Sequence, residues 1–309
     1  MIAEIDARTA SDEDLRPFWE VEAACHDETN PGEPLRSLEE VLAFLRFQPP
    51  THTSCHWVAG GGFAGLYVHG PTAAFVHLLV DPAHRRRGLG AALADAVLAR
   101  CRELGVRALH GHHTSEAGAA FARRFGAVDG QRIVRSLLPL RDAELPEPRV
   151  PDGWSLATWL GRVPDAQLDA LVRARGAMDD APAPDALDFP TWTAEKQRAS
   201  EESLRQRDRE MRVTVAVRDD GEVGAFTELR VSRGSTLGFT DDTGTRTEFR
   251  GRGLARAVKI ESLRRLRDDH PEIDVVCTDN AEENVAMRHI NESVGFRPSI
   301  VETTATLAL

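Results

Sequence analysis

Two stretches of this 309-residue chain combine residue types suited to holding a phosphate. His84-Arg85-Arg86-Arg87-Gly88-Leu89-Gly90-Ala91 returns in recognisable form as Phe249-Arg250-Gly251-Arg252-Gly253-Leu254-Ala255. Each is an Arg-x-x-Gly-x-Gly/Ala turn. Glycines let the backbone come close to a ligand, the first amides of a helix lack partners inside it, and arginines add charge and forked donors. Two copies in register carry far more weight than one. Neither has the Gly-x-x-x-x-Gly-Lys-Ser/Thr spacing of a nucleotide loop, and Leu93 stands where a dinucleotide fingerprint needs its third glycine. A phosphate-bearing ligand other than a nucleoside triphosphate is expected.

Such a turn needs a strand leading in and a helix leading out, and both halves supply them. In the first half residues 75–80 are apolar and extended, and Leu89, Leu93, Ala96, Val97, Cys101 and Leu104 then repeat at helical spacing until Gly105. In the second half residues 236–247 lead in and a helix over 253–268 leads out. Upstream, a short strand at 2–8 precedes a helix capped by Ser11. Ser37 and Glu40 have capping-box spacing for the next helix, which Pro49-Pro50 ends. Strands at 56–59, 63–69 and 73–80 form a meander around Gly60-Gly61-Gly62 and Gly70-Pro71. A strand at 106–113, a helix at 115–125 and one or two closing strands at 127–140 complete the half.

The second half repeats the order. It has a strand at 154–159, a helix at 164–178 and a Pro- and Asp-rich loop at 179–190, read as a candidate lid over an acceptor. A polar helix follows at 193–209, then a hairpin of 212–218 and 223–232 around Asp219-Asp220-Gly221-Glu222. A strand at 273–278, a helix at 283–294 and a closing strand at 299–309 finish it. The repeat gives domains at 1–142 and 153–309, joined by a proline-rich linker at 143–152.

The formal net charge of −11 argues against nucleic-acid binding, which needs a broad basic surface, and suits attraction of a cationic amine. An acidic start and the lack of any long apolar run predict a cytoplasmic protein with no membrane span. Cys25, Cys55, Cys101 and Cys277 have no metal or redox spacing and read as reduced packing residues. Lysine occurs only at Lys196 and Lys259.

The duplicated turn resembles the acyl-coenzyme A signature of the Gcn5-related N-acetyltransferase (GNAT) superfamily. Thr278-Asp279-Asn280-Ala281-Glu282-Glu283-Asn284 through Ile290-Asn291-Glu292-Ser293-Val294-Gly295-Phe296 is similar to that family's strand-then-helix coenzyme segment. The first half echoes it more weakly in His112-His113-Thr114-Ser115-Glu116 and Ala120 to Gly126, without either asparagine of that segment. The resemblance implies an α/β (α+β) fold of two tandem GNAT-like domains, each a mixed, mostly antiparallel sheet flanked by helices. It also implies acetyl-CoA as cofactor, bound where two neighbouring strands part. Unpaired amides would come from Leu78, Leu79 and Val80, with pyrophosphate on Arg85, Arg86, Arg87, Gly88, Leu89, Gly90 and Ala91. In the second half the amides would come from Thr243, Gly244 and Thr245, with pyrophosphate on Arg250, Gly251, Arg252, Gly253, Leu254 and Ala255. Asn280 and Asn284 belong to the same implied site.

Direct attack of an amine on the thioester needs a base, a donor to the carbonyl and a thiolate that can leave. Asp242, Asp241 and Glu228 are the base candidates; aligned on the glycines, Asp242 falls opposite His77. The aspartates could instead start a turn or stay solvated, and Glu228 could pair with Arg230 or Arg250. His110 and His112 share a strand face without a carboxylate at fixed spacing, so no metal site is expected. Many members of the resembled family carry a tyrosine four residues before the glycine that ends the last helix. Here Ala122 and Asn291 hold those positions, and Tyr67 is the only tyrosine. Asn291 could still hydrogen-bond the sulfur, which places the expected chemistry in the second half.

The leading expectation is an acetyl-CoA-dependent N-acetyltransferase acting on a small-molecule amine, as a monomer or homodimer. The rivals are a protein or peptide acyltransferase, chemistry in the first half, and a coenzyme A sensor without turnover.

Overall fold

The computed structural model describes residues 2–47, 53–70, 72–178 and 191–309. Pro49-Pro50, Pro71 and the 179–190 loop read as a lid lie outside them. The chain divides into two compact units, Met1–Ile133 with Ile300–Leu309, and Val134–Ser299.

In the first unit β1 (Ala3–Ile5) is followed by α1 (Asp12–Thr29) and α2 (Leu38–Arg46). Both helices open on the serines expected of them: Ser11 and Ser37 each close a reciprocal capping box, with Asp14 and Glu40 respectively. The meander is β2 (Thr53–Ala59), β3 (Gly62–His69) and β4 (Ala73–Val80), then α3 (Leu89–Glu103), β5 (Ala108–His113) and α4 (Glu116–Arg124). Alternation along β3 decides which helix covers which face. Phe63 packs with Leu15, Phe18 and Val41 of α1 and α2, while Ala64 and Leu66 pack with Leu93, Val97 and Cys101 of α3. Leu15, Leu66 and Leu93 are fully buried, each contributing about 1.5–3 kcal/mol of burial free energy.

The second unit repeats the plan with β7 (Trp154–Leu160), α5 (Asp165–Arg175), α6 (Ala194–Gln206), β8 (Arg209–Arg218), β9 (Val223–Ser232) and β10 (Leu237–Thr245). After these come α7 (Leu254–Asp269), β11 (Val275–Ala281) and α8 (Val285–Val294). Helices α5 and α6 cover Met211, Val213, Val215 and Phe226; α7 covers Ala216 and Ala225 with Leu254 and Val258, and Leu229 and Val276 with Ile260 and Leu263.

In both units β2 to β4, or β7 to β10, run antiparallel, and the step from β4 to β5 or from β10 to β11 is parallel. The closing strands do not follow the sequence division. β6 (Val128–Pro139) lies beside β11 and, from Val134, belongs to the second unit; β12 (Arg297–Ala308) pairs with β5 from Thr303 on and, from Ile300, belongs to the first. The proline-rich segment read as a linker is packed in part: Leu145 is buried in the second unit's core, and α7 arginines bond the carbonyls of Ala143 and Leu145. Among the described residues no helix is long and apolar enough to cross a membrane.

Candidate functional site

The two basic turns have the same backbone. Arg85 and Arg250 are extended, with ψ of 162° and 158°. Arg86 and Gly251 are left-handed, at φ 63° and 76°. Gly88 and Gly253 are left-handed again, at φ 85° and 78°, and cap α3 and α7 without any side-chain hydrogen bond. The first amides of both helices, carried by Leu89, Gly90, Ala91 and by Leu254, Ala255, thus have no side-chain cap, the arrangement that suits an anion. At Arg86 the left-handed backbone costs roughly 1–2 kcal/mol that Gly251 avoids.

The first arginine of each turn ties the loop to its strand. Arg85 Nε donates to the Val80 carbonyl at 3.0 Å, and Arg250 Nε to the Thr245 carbonyl at 3.1 Å. Arg85 also pairs with Glu28 at 2.7 Å. Arg86, Arg87 and Arg252 are exposed on the turns, Arg252 lying 5.7 Å from the centre of the Phe249 ring.

Strand parting occurs in both units. β4 and β5 pair only from Ala73–Ala108 to Phe75–His110, so Leu78, Leu79 and Val80 lie beyond the last pair. β10 and β11 pair from Leu237–Val275 to Thr240–Thr278, leaving Thr243, Gly244 and Thr245 beyond it. In the first unit a cavity of about 180 Å³ lies behind the wedge. Its walls include Ala94 of α3, Gly111 and His112 of β5, Gly118 and Ala122 of α4, and Ala127. His112 Nδ1 is 3.2 Å from Glu302 Oε2. His77 has been pushed below the usual histidine range by burial, with Phe63 edge-on to its ring.

The second unit brings the three base candidates together. β10 bulges between Thr240 and Thr243, lifting Asp241 and Asp242 out of the pairing with β9. Glu228 of β9 is bound to Arg175 Nη1, and Arg175 Nη2 holds Asp242 at 2.9 Å. Asp241 pairs with Arg230. The Arg175 guanidinium lies 3.9 Å from the Trp192 ring centre. Burial pushes the Glu228 carboxyl up to about 7 against the pull of Arg175, and Asp241 up to about 6 against Arg230. Asp242 is the most exposed of the three. A carboxyl that titrates near neutrality beside a more open carboxylate is suited to receive a cationic amine and take its proton.

The sequence profile of the acetyltransferase (GNAT) family matches residues 2–127. The chain is 28% identical over 240 residues to a mycothiol acetyltransferase of Saccharomonospora viridis, covering 72% of this chain and 73% of that one. It is 31% identical over 233 residues to that of Streptomyces coelicolor, covering 71% and 66%. Its fold matches a tandem GNAT protein from the clavulanic acid biosynthesis pathway with a TM-score of 0.82 and 26% identity, over 100% of this chain and 98% of that one. A GCN5-related N-acetyltransferase from Sphaerobacter thermophilus shares the fold at a TM-score of 0.76 and 18% identity, over 99% and 95%. The chain is a tandem GNAT acetyltransferase.

Within the second GNAT half the asparagines serve one another and their helix. Asn284 Oδ1 caps α8 by accepting from the Met287 amide at 3.2 Å. Asn291 Nδ2 donates to Asn280 Oδ1 at 2.5 Å, and Asn291 Oδ1 is buried without a partner. Arg175 is the site residue that sequence reading missed: it lies 53 positions before Glu228, and nothing in its local pattern marks it. The sequence left open a pairing of Glu228 with Arg230 or Arg250; Glu228 is held by Arg175, and Arg230 by Asp241. The histidines hold separate partners, His110 with Thr306, His112 with Glu302 and His113 with Asp129. Among the described residues no group of three or more His, Cys, Asp or Glu could hold a metal ion.

Proposed function

We propose that this acetyltransferase takes acetyl-CoA as donor and acetylates the amine of a small molecule directly, in its second GNAT half. The observation that carries this reading is Glu228: buried, poised near neutrality, and bridged by Arg175 to Asp242 at the β10 bulge. Similarity to mycothiol acetyltransferases and to a protein of clavulanic acid biosynthesis supports a small-molecule acceptor. Coenzyme A fits the residues present, since each half has an uncapped helix start behind a left-handed turn and a wedge beyond its last parallel strand pair.

In this mechanism Arg250 to Ala255 hold the pyrophosphate, and Thr243, Gly244 and Thr245 offer amides along the donor's arm and to its carbonyl. Asp242 draws in the ammonium, Glu228 takes its proton, and Arg175 keeps the two carboxylates in register. No covalent intermediate on the protein is needed. The first half, with its open cavity, holds a second coenzyme without turnover.

One observation favours a second reading, transfer in the first half: His112 lines the cavity and is oriented by Glu302. Thiol release from acetyl-CoA, measured with small amines and with peptides and confirmed by product mass, separates the two. Glu228→Gln is expected to lower kcat by roughly 10²–10⁴-fold, with His112→Asn close to wild type. The reverse pattern moves the chemistry to the first half, acylated peptides alone overturn the acceptor class, and no acylated product overturns the donor.

A further inference from the structure

Three residues that wall the first-half cavity have much larger counterparts in the second half. Gly88 and Gly253 are the matching caps of α3 and α7, so Lys259 holds the place of Ala94, six positions further on in each helix. Gly126 and Gly295 are the matching left-handed ends of α4 and α8, so Asn291 holds the place of Ala122, and Phe296 that of Ala127. Lys259, Asn291 and Phe296 thus occupy the positions in the second half that wall the cavity in the first. All are nearly inaccessible, at 2%, 2% and 0% exposure.

Lys259 Nζ lies 5.4 Å from the centre of the buried Phe296 ring, and the residue is almost wholly shielded from solvent. The lysine has no carboxylate partner among the described residues, and burial alone pushes its ammonium down to about 7. Asn291 adds a buried polar atom with nothing to bond, its Oδ1. A cation kept without a counter-ion in apolar surroundings costs several kcal/mol. The cost falls away when an anion enters beside it.

We propose that Lys259 meets the sulfur of the acyl thioester in the second half and gives it a proton as the carbon–sulfur bond breaks. This rests on the reading above, that acetyl-CoA is the donor and the second half its site. The amine nitrogen bonds to the acyl carbon, and the electron pair of the broken bond stays on sulfur. The Lys259 proton moves to that sulfur to give the free thiol; Glu228 takes one proton from the ammonium before attack, and the second leaves the nitrogen to solvent as the amide forms. Lys259 recovers its proton from solvent. A lysine near 7 facing a thiol of ordinary affinity near 8.5 is matched for this transfer.

The test uses the full chain with Lys259→Met and Lys259→Gln, the second securing the result if the first fails to fold. With acetyl-CoA, kcat is expected to fall by roughly 10²-fold. With acetyl-selenocoenzyme A, whose selenolate leaves without a proton, the loss should shrink to about 3-fold or less. Independently of turnover, the thiolate absorbance of bound coenzyme A should titrate at lower pH in wild type than in either variant. Equal losses with both donors, or an unchanged thiolate titration, overturn the role of Lys259. A wild-type chain that acetylates no amine overturns the donor reading instead, and the thiolate titration still decides Lys259.

Discussion

Behind the parted strands of the first half, Ala94, Gly111, Ala122 and Ala127 leave a cavity of about 180 Å³. At three of the matching positions the second half has Lys259, Asn291 and Phe296, all buried, and its β10 bulge carries aspartates where β4 runs without a shift of register. The basic turns nevertheless superimpose in their dihedral angles. An anion cradle made of main-chain amides survives wide change in side chains, because it depends on φ and ψ alone. Groups that move protons depend on what surrounds each side chain, and there the two copies have gone separate ways.

The sharpest way to break this comparison is to spoil one cradle at a time. A Cβ at Gly88 or Gly253 meets no atom within 4 Å, but valine there must adopt a positive φ. Each change should remove one of two coenzyme A binding events in calorimetry, and only Gly253→Val should abolish acetyl transfer. Loss of turnover with Gly88→Val alone would invert the assignment of the halves.

Filling the first-half cavity comes next. Ala94→Phe should weaken coenzyme binding there by at least about 10-fold, roughly 1.4 kcal/mol, and leave the transfer rate within about 2-fold. A matching fall in kcat would show that the first half takes part in the chemistry.

A smaller effect sharpens the account of the carboxylates. Arg175 pulls the Glu228 carboxyl down against burial, so Arg175→Gln should move the acid limb of the pH–rate profile above about 7. An unmoved limb would remove Glu228 as the titrating base.

The smallest effect is on stability against pH. Lys259 is lowered from 10.5 to about 7 in the folded chain, so between those values the unfolded state binds more protons and stability rises with pH. Lys259→Met should flatten that rise in urea titrations from pH 7 to 10. Glu228 and Asp241 are raised instead, so their contribution to stability falls as pH rises from about 4 to 7, in both proteins.

Much of this was legible in the sequence because local rules decide it. Ser11 and Ser37 cap as their spacing requires, Gly105 stops α3 with a left-handed backbone, and the turn glycines take the φ that only glycine adopts freely. The exchanged closing strands were not legible, since alternation in β6 and β12 says which residues face inward but not which neighbour they pair with. Nor was Arg175, brought to Glu228 by the packing of α5 on β9. Lys259 did leave a trace: it interrupts the run Ala257-Val258-Lys259-Ile260, whose members are all buried, at the place where the first half has alanine.

The exchange of β6 and β12 also bears on how this protein can be cut or inherited. A gene split between residues 142 and 153 would yield two polypeptides, each retaining its partner's edge strand and missing its own. With bare hydrogen-bonding rims, both pieces should aggregate unless made together. Each half is therefore expected to need the intact polypeptide, since each draws a strand from the other's stretch of sequence.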